Sequence, residues 1–141
     1  MMDKLKPILI AEDEENDVIL IKIILEELSL GDQCEIVQDG QEALDFLYRH
    51  GRYSKRKKGN PDLILLDMKL PRVSGLEVLR EIRSDRSLDR VSVVVFSSSL
   101  DENDKRDAFE LGANDFIVKP MELQDFQEAI RKTTSRYLSP R

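Results

Sequence analysis

The sequence predicts an α/β domain: a doubly wound, five-stranded parallel sheet with helices on both faces. Three observations lead there. Apolar runs and amphipathic stretches alternate five times along the 141 residues, the pattern of strands joined by helical crossovers. Leu63-Ile64-Leu65-Leu66, between Asn60-Pro61 and Leu70-Pro71, is apolar without interruption, as in a strand buried on both faces. The run ends in a carboxylate, Asp67, and three others also end in polar groups: 8–11 at Glu12-Asp13, 93–96 at Ser97-Ser98-Ser99, and 116–118 at Lys119-Pro120. Open α/β sheets carry their chemistry at the carboxyl ends of their strands. Alone, Asp67 reads equally well as a turn or capping residue. Beside two further acids, a hydroxyl cluster and a lysine, it belongs to a metal-assisted phosphate site.

Each element has its own signal. Residues 7–12 read as the first strand. A helix over 15–28 follows, with Leu20, Ile21, Ile24, Leu25 and Leu28 on one face, ended by Gly31-Asp32. Residues 34–38 form a shorter strand closed by the turn Asp39-Gly40. The helix over 41–50 buries Ala43, Leu44 and Leu47, with Gly51 as its cap. After the central strand, Ser74-Gly75 opens a helix through Leu76, Val78, Leu79 and Ile82. Residues 91–96 are the fourth strand, 101–111 a helix stopped by Gly112, and 114–118 the fifth strand. The last helix runs from 122 to about 137 and buries Leu123, Phe126, Ala129 and Ile130.

Composition fits one domain with a sizeable core: 40% of residues are apolar and 35% charged. The net charge of −6 disfavours general nucleic-acid binding. A single cysteine, Cys34, forms no internal disulfide and reads as a small core residue. No stretch approaches a membrane span, and residues 1–7 are too short and polar for a signal peptide. These features suit a cytoplasmic protein.

Asp13, Asp67, Ser97 and Lys119-Pro120 fall at strand ends in one order: acid pair, acid, hydroxyl, lysine-proline. With Pro71 and Gly75 behind Asp67, the pattern resembles the receiver domain of two-component response regulators over nearly the whole chain. The EDEENDVIL opening, the DGQEALDFLYRHG helix and the long loop before the third strand resemble stand-alone receivers serving phytochrome-like kinases. The resemblance implies a flavodoxin-like fold with strand order 2-1-3-4-5. It implies one receiver domain over 1–141, with its core at about 7–132, a C-terminal extension over 133–141 and no output domain.

It also implies a chemistry. Asp67 accepts the phosphoryl group; Glu12, Asp13, Asp67 and the backbone carbonyl of Lys69 form the metal site, with Mg²⁺ as the cofactor. A carboxylate attacking an anionic phosphorus must be supplied with cations, and Mg²⁺ suits carboxylates, waters and a phosphate oxygen. Lys119 and Ser97 contact the phosphoryl oxygens. The protein would modify itself and lose the phosphate by autodephosphorylation, without conventional turnover. Ser97 and Phe116 occupy the switch positions, and the family often has a cis peptide before the proline, which would aim Lys119 inward. The phosphodonor it implies is a sensor histidine kinase of the phytochrome-like kind; a downstream phosphotransfer or effector protein and a homodimer through the last helix are further expected partners, with no DNA and no membrane. Two other readings are a phosphorylation-independent adaptor and a phosphohydrolase, the latter disfavoured by Lys69 where a second acid would stand.

Several features lie outside the motif. Ile19 and Ile23 lie four apart, away from the core face of the first helix, and form a candidate docking stripe for the kinase. The helix over 101–111 has few apolar anchors and is expected to be mobile. Residues 52–59, with Lys55-Arg56-Lys57-Lys58, form a basic, solvated loop. Lys69 reaches over the acceptor, His50 is a cap or surface residue, and Ser98 and Ser99 serve the loop and helix cap.

Overall fold

The computed structural model describes residues 5–138. Five parallel strands, β1 (Ile8–Ala11), β2 (Cys34–Val37), β3 (Leu63–Leu66), β4 (Ser92–Ser97) and β5 (Asp115–Val118), lie in the order 2-1-3-4-5. Between and after them run α1 (Glu15–Glu27), α2 (Gly40–Tyr48), α3 (Gly75–Ser84), α4 (Glu102–Glu110) and α5 (Leu123–Tyr137). The strands carry apolar residues without interruption because both faces are covered. Successive side chains point to opposite faces, so Ile8, Ile10, Leu63, Leu65, Val94 and Phe96 feed the core under α1 and α5. Leu9, Ala11, Ile64, Leu66, Val93 and Val95 feed the one under α2, α3 and α4. Each of the larger of these side chains (Val, Leu, Ile and Phe) contributes roughly 1.5–3 kcal/mol when removed from water.

Helix starts follow the sequence closely. Asp39 accepts a hydrogen bond from the Glu42 amide, Ser74 from that of Glu77 and Asp101 from that of Asn103, each satisfying a donor the helix leaves free. The ends differ more. Arg49, not Gly51, takes the left-handed cap of α2 (φ 56°), and Ser29 (φ 62°) turns the chain after α1 ahead of Gly31-Asp32. Phe46 is a buried residue of α2, while Leu44 only half-packs against the core. Leu123, expected inside, is 54% exposed: it is the first residue of α5, whose buried face begins only at Phe126.

Two segments pack into the domain more closely than the sequence suggests. In the basic loop, Tyr53 is buried and meets Phe46 edge-on, with ring centroids 5.2 Å apart. Arg56 donates to the carbonyls of Phe46, Leu47, Lys57 and Gly59 and lies over the Phe46 ring. Lys55, Lys57 and Lys58 remain exposed, so the solvated-loop expectation holds for the lysines and fails for Tyr53 and Arg56. Beyond 132, α5 continues: Thr133 and Thr134 are buried, and Tyr137 and Leu138 pack against the chain's own core. Residues 139–141, the end of the expected extension, lie outside the described residues, as do 1–4 of the stretch read against a signal peptide. Cys34 is half-buried at the rim of the core, its thiol donating to the Gly31 carbonyl. No helix of the described residues is long and apolar enough to cross a membrane.

Candidate functional site

Register brings the polar residues together. Ala11 pairs with Leu66 and Leu66 with Val95, so the residues that follow β1 and β3 emerge side by side. The ladder runs one step further at each end: the Asp67 amide donates to the Ala11 carbonyl at 3.0 Å, and the Lys119 amide to the Ser97 carbonyl at 2.8 Å. Behind Asp67 the chain turns tightly into α3, whose first amide, at Gly75, donates to the Met68 carbonyl. A Cβ on Gly75 would come within 2.0 Å of the Asp67 carbonyl oxygen, which makes glycine obligatory there.

The side chains converge. Carboxylate oxygens of Glu12, Asp13 and Asp67 all lie within 4.8 Å of one another. Ligands of one octahedral Mg²⁺, each bonded at about 2.1 Å, stand roughly 3–4.2 Å apart, so small side-chain adjustments would let these oxygens share such an ion. Asp13 is exposed, whereas Glu12 and Asp67 are buried. The Lys119 ammonium lies 2.6 Å from Glu12 Oε1, 2.8 Å from Asp17 Oδ2 and 3.5 Å from Asp67 Oδ2. Burial pushes the Glu12 carboxyl up to about 7, partly offset by its hydrogen bond from Lys119. Burial on its own would lower Lys119, but hydrogen bonds to Asp17 and Glu12, with the charge of Asp67, hold it above the usual lysine range. The lysine is therefore a fixed cation in the site.

The remaining expected residues fall nearby. Ser97 is buried, and its hydroxyl accepts from the Ser99 amide at 3.2 Å. Asp67 Oδ1 accepts from the Lys69 amide at 3.3 Å, while the Lys69 side chain is exposed. Phe116 on β5 is buried in the core under α2–α4. The peptide before Pro120 is trans, as the described residues contain no cis bond, yet Lys119 still faces inward; its three carboxylate partners account for that. Ser99 bonds Asp104 and the Asp101 amide, while Asp101 itself caps α4. His50 is exposed at the end of α2. Asp17 was not anticipated. An acid in the first turn of the helix after an acidic strand end was its one signal.

Comparison with known proteins agrees with this geometry. The sequence profile of the response regulator receiver domain matches residues 8–131. The chain belongs to that family. Among relatives of this receiver domain is the response regulator Rcp1 of Synechocystis sp., 35% identical over 94% of this chain and 89% of its own. The crystal structure of the phosphorylated cyanobacterial phytochrome response regulator RcpA superposes with a TM-score of 0.86, at 36% identity over 96% of both chains. The Mn²⁺-bound form of Rcp1 gives 0.84 at 34% identity, over 95% of both chains. The protein is thus a receiver-domain response regulator of two-component signalling, homologous to phytochrome response regulators.

Proposed function

We propose that this receiver domain takes a phosphoryl group from a histidine kinase onto Asp67, with a divalent cation held by Glu12, Asp13, Asp67 and the Lys69 carbonyl. The observation that carries the reading is the meeting of three carboxylates within 4.8 Å beneath an ammonium 3.5 Å from Asp67. An Asp67 oxygen attacks phosphorus; the bond from phosphorus to the donor nitrogen breaks, and the imidazole leaves with its electron pair. The ionised carboxylate needs no base. Lys119 and Ser97 face the phosphoryl oxygens and offset the charge that builds on them. A bound Mg²⁺ would supply further charge neutralisation and align the incoming group.

The phosphate is read through Ser97 and Phe116. When the Ser97 hydroxyl turns toward the phosphoryl group, the packing around Phe116 changes and α4 shifts with it. Homology to phytochrome response regulators supports a phytochrome-like kinase as donor. Ile19 and Ile23, about half exposed on α1, form the stripe on which its helices dock. In this role the protein works in the cytoplasm, passes the signal to a downstream phosphotransfer or effector partner without DNA contact, and self-associates through α5. Incubation with acetyl phosphate and Mg²⁺, followed by intact mass, tests it. Wild type should gain one phosphoryl group and Asp67→Asn none; adduct on both proteins, or on neither, refutes the assignment.

A further inference from the structure

We infer that Asp17 is a positioning residue for phosphoryl transfer: its carboxylate holds the Lys119 ammonium off the nucleophile, keeping Asp67 free to attack. An ammonium has three N–H donors and no acceptor. Here three carboxylates surround it, and the distances are unequal. Glu12 and Asp17 stand at 2.6 and 2.8 Å, Asp67 at 3.5 Å. The cation is thus drawn onto the two flanking acids, and its contact with Asp67 Oδ2 stays long. That spacing matters chemically. A carboxylate oxygen in a short, charge-assisted hydrogen bond has its lone pair engaged and attacks poorly. An ammonium standing slightly back can still meet an oxygen of the arriving phosphoryl group.

Asp17 is suited to this part. It lies in the first turn of α1, next to the buried Val18, so the backbone that carries it is anchored to the core. Its partner lysine is 92% buried at the side chain, with little water to replace the lost contact. Removal of Asp17 leaves Glu12 and Asp67 as the ammonium's two carboxylates in the site, and the cation closes on Asp67. The contact also links α1 to the reacting atoms, two residues from Ile19.

The inference rests on Asp67 being the phospho-acceptor. Its test uses Asp17→Ala, Asp17→Asn and Asp17→Glu in the full chain, with acetyl phosphate and Mg²⁺ as the probe. In that reaction an Asp67 oxygen bonds to phosphorus, the phosphorus–oxygen bond to the acetyl group breaks, and acetate departs with the electron pair. The alanine variant should label about tenfold more slowly or worse, as losses of such supporting partners do; Asn should be intermediate and Glu should recover most of the rate. In parallel, the side-chain ¹⁵N–¹H signal of Lys119, recorded without metal or phosphodonor, should move in the alanine variant and stay near its wild-type position in the glutamate one. Wild-type labelling rates in the alanine variant, an unmoved lysine signal, or failure of glutamate to rescue would each overturn the inference. If the alanine variant does not fold, Asp17→Asn carries the comparison. Should wild type itself take no label, the acceptor reading falls, and the lysine signal alone still decides the placement of the cation.

Discussion

Gly75 shows how closely single positions constrain the site. Its missing side chain lets α3 start directly behind Asp67, and a Cβ would strike the Asp67 carbonyl oxygen at 2.0 Å and Met68 Cα at 2.7 Å. Those are backbone atoms that cannot rotate away. Gly75→Ala should therefore cost about 1–3 kcal/mol or more by overpacking, measurable by urea denaturation, and should slow labelling of Asp67 in the surviving folded fraction. Tyr53 makes a second prediction. Burial and the nearby Glu35 charge raise its hydroxyl from the usual 10 to about 12. The unfolded chain releases this proton first, so the stability it confers is complete below pH 10 and is lost as pH climbs toward 12. A shift of this size corresponds to at most about 2–3 kcal/mol. Tyr53→Phe should flatten the alkaline limb of the stability curve between those values. At this scale the strand-end residues were legible, because Asp13, Asp67, Ser97 and Lys119 each close an apolar run. Asp17 and Arg56 were not. Their roles depend on side chains 102 residues away in one case, and on carbonyls freed at the end of α2 in the other.

Among the elements, α1 and α4 differ sharply in how much they bury. α1 buries Val18, Ile21, Ile24 and Leu25, whereas α4 buries Ala108 alone and leaves Phe109 partly exposed. Its capping by Asp101 and the Ser99–Asp104 contact are local and do not tie it to the sheet. Native-state hydrogen exchange should find the amides of α4 opening at least about tenfold more often than those of α1, a difference of roughly 1.4 kcal/mol in local stability. Equal protection would remove α4 from the switch. All five strands and all five α-helices were visible in the order of apolar runs and periodic stretches, whereas the short 3₁₀ turns at Gly31–Gln33, Gly51–Tyr53 and Arg86–Leu88 were not. Ends were less so. A helix stops where a residue can take positive φ at acceptable cost, and here Arg49 and Ser29 did so ahead of the nearby glycines. Leu123 went wrong for a related reason: periodicity marks a face along the helix, but burial on α5 begins only at Phe126, three residues after its start.

For the molecule as a whole, the two cores and the site share one sheet. Three acids gathered at its carboxyl edge repel one another, so a divalent cation bound there should stabilise the folded chain. At a hundredfold excess over its dissociation constant, Mg²⁺ should raise the unfolding free energy by about 2.7 kcal/mol. Chelation should reverse the gain, and Asp13→Asn should shrink it; equal unfolding midpoints with Mg²⁺ and with chelator would contradict a metal site. The strand order was implied by the resemblance and is present in the structure. The layering of the helices came from their alternation with the strands, since a parallel sheet must be covered on both sides.

The basic loop carries a lesson about tolerance to change. Of its four consecutive cations, three are solvent-facing and make no demand on shape. The fourth, Arg56, fastens four carbonyls at once and stacks on a ring. A lysine there would keep the charge, but it has three donors in place of five and no planar face. Drift among orthologues should thus be free at 55, 57 and 58 and narrow at 56, even though a sequence comparison by charge would score all four positions alike.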